Sequence, residues 1–166
     1  AYVDYEKIYM GRFELLEKAF HRFVPDQAYE TFVEKNKKWL EDYSLYMAIK
    51  NSLGGIAWSE WEAPLKTRQE AALEEKRVEL KEQMDFICFQ QYEFAKQWEK
   101  LKQYANEKGI QIIGDIPIYV AFDSADAWAN PELFQFDENS TPLAVAGCPP
   151  DAFAATGQLW GNPLYR

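Results

Sequence analysis

The sequence is poor in the residues that most enzyme chemistry uses. It holds one histidine, His21, and two cysteines, Cys88 and Cys148. A Ser-His-Asp triad or a Cys-His pair would have to recruit His21. That residue sits in a helical pattern near the start, where a lone histidine is usually a packing or surface residue. No CxxC or HExxH spacing occurs, so no metal site is expected. No glycine-rich phosphate loop occurs, and nothing else in the sequence calls for a cofactor. Two cysteines, one in a helical pattern and one in a loop, make no disulfide framework, and a cytoplasmic location is the default expectation. Basic residues are also scarce: 18 Lys and Arg stand against 27 Asp and Glu, a net charge of −9. Nucleic acid is therefore not an expected partner, since it is gripped by clustered cations. Lys35, Lys37 and Lys38 are flanked by Glu34 and Glu41 and read as a solvated helix face. Anionic membranes are disfavoured for the same reason, and no uncharged apolar run approaches the ~20 residues of a membrane span. Ala1 to Lys7 already carries Asp4 and Glu6, so no signal peptide is expected there.

What is present is a globular composition. Hydrophobic residues make up 48% of the chain, enough for a packed core. Aromatics reach 16%, which admits two readings: a core built of large rings, or rings set out as platforms for a sugar or another flat ligand. Residues 4 to 108 read as helix almost throughout. Asp4 is a plausible N-cap, Phe13, Leu16, Phe20 and Phe23 form one apolar stripe, and Pro25 stops it. Asp26 can cap a second helix, which carries Tyr29, Phe32, Val33, Trp39, Leu40, Tyr43 and Met47 and stops at Gly54-Gly55. An aromatic connector, Ile56 to Trp61, leads to Pro64. One long helix is then expected from about Thr67 to Lys108, with Gly109 as its stop.

After Gly109 the character changes. Ile110-Gln111-Ile112-Ile113 is a short β-branched run ending at Gly114-Asp115, which predicts a buried parallel strand. A single strand cannot satisfy its own N–H and C=O groups, and a buried parallel strand needs a neighbour on each edge. The chain is therefore expected to be a piece of a larger sheet or barrel. From Ala121 to Arg166 no long periodic segment appears. Loops of that length in a compact domain are uncommon and often functional.

Carboxylates are the chemical groups that remain. Asp115 stands at the C-terminal end of the predicted strand, the catalytic face in a (β/α)8 barrel; a helix cap or structural acceptor is the alternative. Asp123 to Trp128 looks like a capped helical turn. In the stretch Gly147 to Tyr165, Phe153 and Trp160 offer rings, while Asp151, Gln158 and Asn162 offer hydrogen-bonding groups. Rings beside amides and carboxylates are what a sugar subsite requires.

At these residues the sequence resembles a family. Gly109-Ile110-Gln111-Ile112-Ile113-Gly114-Asp115-Ile116-Pro117-Ile118-Tyr119-Val120, then Asp123-Ser124-Ala125-Asp126-Ala127-Trp128, then Ala146 to Tyr165, are similar in this order to motifs of the amylomaltases, the 4-alpha-glucanotransferases of glycoside hydrolase family 77. Val3-Asp4-Tyr5 with Tyr9, Trp39 to Tyr43, and Gly54 to Trp61 match more loosely. The resemblance implies a (β/α)8 TIM barrel with a helical insertion. Residues 1–108 would be that insertion subdomain, and 109–166 a barrel strand plus the active-site loop of an incomplete barrel, so the chain would be a mainly α fragment. It implies transfer of alpha-1,4-glucan segments to glucose or maltooligosaccharide acceptors with retention, and places none of the catalytic residues in this chain. Asp115, Asp151, Phe153, Gln158 and Trp160 match substrate-binding positions, and Tyr9 matches a secondary glucan site. Ala152 departs from the Tyr found in many members. The alternative reading is a non-catalytic helical interaction module.

Overall fold

The computed structural model describes residues 2–166, except for the side chain of Tyr9; the expectation placed on that side chain lies outside the described residues. The first helix, α1 (Tyr5–Phe20), begins where Asp4 accepts from the Lys7 N–H at 3.1 Å. It ends before Pro25 is reached. Helix α2 (Gln27–Ser52) begins where Asp26 accepts from the Tyr29 N–H at 2.9 Å. It ends in a Schellman motif: Gly54 N–H bonds to Asn51 C=O and Gly55 N–H to Lys50 C=O, with both glycines at positive φ.

The continuous helix expected from Thr67 to Lys108 is interrupted. Helix α3 (Ala63–Lys66) starts on Pro64 and stops at Thr67. Arg68 then takes φ 55°, in the left-handed region, and its guanidinium lies 4.2 Å over the Trp128 ring. Helix α4 (Glu70–Glu79) ends at the buried Leu80, whose φ of −105° and ψ of 18° break the helix before α5 (Lys81–Glu107) begins. The dense charge between Arg68 and Glu82 hid both breaks, because charged residues keep a helical pattern without marking its ends. Gly109 (φ 75°) closes α5 with a second Schellman motif: its N–H bonds to Asn106 C=O, and that of Ile110 to Ala105 C=O.

Two compact units result. The first comprises residues 1–44 and 81–112. Its core is aromatic: Phe20 lies 5.4 Å from Phe86 and 5.6 Å from Phe89, Phe23 lies 4.9 Å from Phe89, and Tyr29 meets Tyr92 edge-on at 5.4 Å. Burial, with Cys88 and Asp85 nearby, pushes the Tyr29 hydroxyl up to about 12. The second comprises residues 45–80 and 113–166. There Tyr46, Trp61 and Trp128 pack ring on ring at 5.4–5.8 Å, and Trp58 packs on Phe122 and Phe136. The two fully buried indoles are satisfied: Trp58 Nε1–H donates to Phe122 C=O at 2.7 Å and Trp128 Nε1–H to Leu65 C=O at 3.0 Å. Part of the aromatic content is thus core, while rings such as Trp39, Phe94, Trp98, Phe153 and Trp160 stay exposed.

The predicted strand at Ile110–Ile113 does not form. Its backbone makes no ladder among the described residues, and Ile113 is 91% exposed. The reason is the one the sequence raised: a parallel strand without neighbours has no partners for its N–H and C=O groups. Strands appear instead where a loop was expected. β1 (Val145–Cys148), which contains Cys148, pairs antiparallel with β2 (Gln158–Pro163). Helix α6 (Ala125–Ala129) precedes them, capped by Ser124, whose Oγ accepts from the Ala127 N–H.

Candidate functional site

The hairpin of β1 and β2 carries most of the residues proposed to bind a ligand. Its two strands approach closely because Gly147 has no side chain: a Cβ there would sit 2.5 Å from Gln158 C=O. Gly157 has φ 71°, and a Cβ on it would lie 2.6 Å from Cys148 C=O, so glycine is required twice over. The register pairs Cys148 with Gln158, Gly147 with Leu159 and Val145 with Pro163. Between the last two pairs β2 spends more residues than β1. The surplus is a bulge around Gly161 (φ 80°), and bulges re-aim neighbouring side chains.

The bulge is anchored on both sides. Asn162 Nδ2 donates to Val120 C=O at 2.9 Å. Past the strand, Phe134 bridges Tyr165, Gln135 N–H donates to Leu164 C=O at 2.8 Å, and Arg166 Nε donates to Phe134 C=O at 2.7 Å. This frame leaves Trp160 half exposed, with its Nε1–H donated to Gln158 Oε1 at 2.9 Å. Gln158 and Trp160 share one face of β2 because strand side chains alternate. The Tyr119 ring lies 6.2 Å from Trp160 and stacks on Tyr165 at 6.1 Å with planes 8° apart.

The tip of the hairpin is ordered by Asp151. Its Oδ1 accepts from the N–H groups of Phe153 and Ala154, both at 2.8 Å, in an Asx-type turn. Phe153 projects from that turn and is 98% exposed. The structure therefore joins Gln158 to Trp160 directly and Asp151 to the backbone of Phe153. Asp115 is exposed, caps no helix, and has no hydrogen-bond or ion-pair partner among the described residues. Among the described residues no hydrogen bond or ion pair links it to the hairpin.

Two features were not read from the sequence. Tyr119 and Tyr165 extend the ring row beside Trp160; the aromatic position in the Pro117-Ile118-Tyr119 motif was the available signal. Asp123 is the other. It does not cap α6 but joins three segments: its Oδ1 accepts from Tyr46 Oη at 2.7 Å and from Trp58 N–H at 3.3 Å, and its Oδ2 pairs with Lys50. Partial burial pushes the Asp123 carboxyl up, but the bonds from Lys50, Tyr46 and Trp58 outweigh it and hold the group below the usual carboxylate range. Burial, then the Asp123 bond and charge, push the Tyr46 hydroxyl up. No group of three or more His, Cys, Asp or Glu among the described residues is placed to hold a metal ion. No helix among the described residues is long and apolar enough to cross a membrane.

The model of glycoside hydrolase family 77, described as 4-alpha-glucanotransferase, matches residues 1–166, and the chain belongs to that family. It is 48% identical to the 4-alpha-glucanotransferase of Clostridium butyricum, over 98% of this chain and 34% of the relative. It is also 48% identical to that of Thermus thermophilus, over 99% of this chain and 34% of the relative. Among solved structures it is similar to the amylomaltase from Streptococcus agalactiae in complex with acarbose, a TIM-barrel enzyme, with TM-score 0.91 and 44% identity, covering 99% of this chain and 34% of that one. The chain thus spans about a third of the length of these relatives.

Proposed function

We propose that the chain is the substrate-facing third of a 4-alpha-glucanotransferase, which cleaves an alpha-1,4-glucan and passes the released segment to glucose or a maltooligosaccharide with retention. The observation that carries this is one of coincidence. The family match runs over residues 1–166, and in the Gly147–Tyr165 stretch the chain turns the Phe153 and Trp160 rings and the Gln158 amide outward instead of into a core. In this reading residues 1–108 are a helical insertion, and 109–166 supply one barrel strand and the loop over the sugar subsites. Ile110–Ile113 becomes a strand when neighbouring strands meet its edges. Trp160 and Phe153 stack on pyranose faces, Gln158 and Asp151 serve the hydroxyls, and Asp115 holds a cation beside the nucleophile. Tyr9 belongs to a secondary glucan groove.

Retaining transfer uses a nucleophile and an acid/base carboxyl about 5–5.5 Å apart. Both lie outside this chain in the proposal, so the residues here bind and orient without breaking the bond. No cofactor enters the reading, and the cytoplasm is the proposed site of action. The helical interaction module draws no support from a family match that spans the catalytic-loop motifs. The test is Trp160→Ala in the full-length enzyme. It is expected to raise KM for maltotriose about tenfold, the equivalent of roughly 1.4 kcal/mol. An unchanged KM would remove the hairpin from the glucan site.

A further inference from the structure

The Gln158 amide oxygen accepts the Trp160 Nε1–H at 2.9 Å. Trp160 needs that restraint. It stands on a bulge next to Gly161 at φ 80°, where the backbone gives its ring little definition, and it is half exposed, so packing covers only part of it. A ring that stacks on a sugar must hold one orientation, because a freely turning side chain loses rotational freedom when the ligand binds. Two contacts fix the indole. The Gln158 bond sets its rotation within the face that residues 158 and 160 share. Tyr119, itself stacked on Tyr165, backs it at 6.2 Å with planes tilted by 50°.

We infer that Gln158 and Tyr119 are positioning residues, which act on glucan by holding the Trp160 indole in a preset orientation. For Gln158 this takes the place of the direct role proposed above, donation from its amide N–H groups to sugar hydroxyls. The inference rests on the proposal that Trp160 belongs to a glucan subsite, and deepens it. The chemistry separates the two roles of Gln158. Restraining Trp160 needs an acceptor, which glutamate also supplies; donating to a sugar hydroxyl needs the amide N–H groups, which glutamate lacks.

The experiment is a double-mutant cycle in the full-length enzyme, with kcat and KM for maltotriose measured separately. Gln158→Leu is expected to raise KM about fivefold, the scale of one neutral hydrogen bond, with kcat nearly unchanged. Gln158→Glu should restore most of that loss. In a Trp160→Phe background, which keeps a ring but has no N–H, Gln158→Leu should add almost nothing. Tyr119→Leu should raise KM in the wild-type background and much less beside Trp160→Ala. If Gln158→Glu is as damaging as Gln158→Leu, and both add fully to Trp160→Phe, Gln158 acts on the sugar directly and the inference fails while the glucan site stands. If Trp160→Ala and Gln158→Leu both leave KM unchanged, the glucan site itself fails and the inference falls with it.

Discussion

Asp123 and Asp115 are two carboxylates close in sequence with opposite surroundings. Asp123 accepts from Tyr46, Lys50 and a backbone N–H, and is held ionised below the usual carboxylate range. A group whose folded pKa is lowered stabilises the fold above its unfolded value near ~4, and that contribution is lost as pH falls through the folded value. Asp123→Asn should therefore lower the melting temperature at pH 7 by about 2–4 °C, since the pair with Lys50 is partly exposed and screened. The gap to wild type should begin to narrow below about pH 4 and close only beneath the lowered folded value. A gap that stays constant with pH would mean that packing, not charge, is lost. Asp115 has no such ties, so folding does not need its charge. Asp115→Asn in the full-length enzyme is expected to lower kcat by at least about 100-fold while leaving the melting temperature within a degree or so, because the loss is in reacting geometry. Near-normal turnover would reduce Asp115 to a bystander. The sequence put Asp115 at the end of a predicted strand that does not form in this chain. It misread Asp123 as a cap, since the partners Tyr46 and Lys50 are far away in sequence and no local pattern announces them.

Among the elements, the helices were legible and the strands were not. Asp4, Asp26, Gly54 and Gly109 mark helix ends through bonds made within a few residues, and each mark holds in the structure. The breaks at Arg68 and Leu80 depend on tertiary packing, one on the Trp128 ring and the other on burial of a leucine, so helical period alone missed them. The hairpin escaped notice because its β2 strand, Gln158 to Pro163, reads as turn residues: two of its six positions are Gly and Pro, and its bulge breaks the alternation that signals a strand. Its shape depends on glycine. Gly157→Ala would set a Cβ 2.6 Å from Cys148 C=O at a φ of 71°. We expect it to cost about 1–3 kcal/mol and to raise KM as the tip is displaced. Gly54→Ala shares the φ of 71° but meets open space. It should cost about 1 kcal/mol and leave KM alone. Equal effects of the two on KM would show that the hairpin tip does not shape the site.

At the scale of the whole molecule, the part proposed to carry function leaves large apolar side chains open to water. Ile113, Ile116 and Ile118 are between 76% and 91% exposed, and Phe153 is 98% exposed. Apolar side chains that open to water ordinarily face a partner. The relatives are about three times longer than this chain, and in the proposed enzyme the remaining two thirds supply the strands that flank Ile110–Ile113 and the two carboxyls that break the glycosidic bond. The family could be read from motifs; the same motifs are the ground on which the residues of the sugar loop are proposed. The catalytic pair could not be read, because the proposal puts it in sequence that this chain does not contain. The most direct measurement is product analysis after incubation with maltotriose, run in parallel on the full-length enzyme and on the purified 166-residue chain. The account predicts glucose together with maltooligosaccharides longer than the substrate from the enzyme, and no products from the chain. Sustained glucose release by the chain alone, or only shorter sugars from the full-length enzyme, would contradict it.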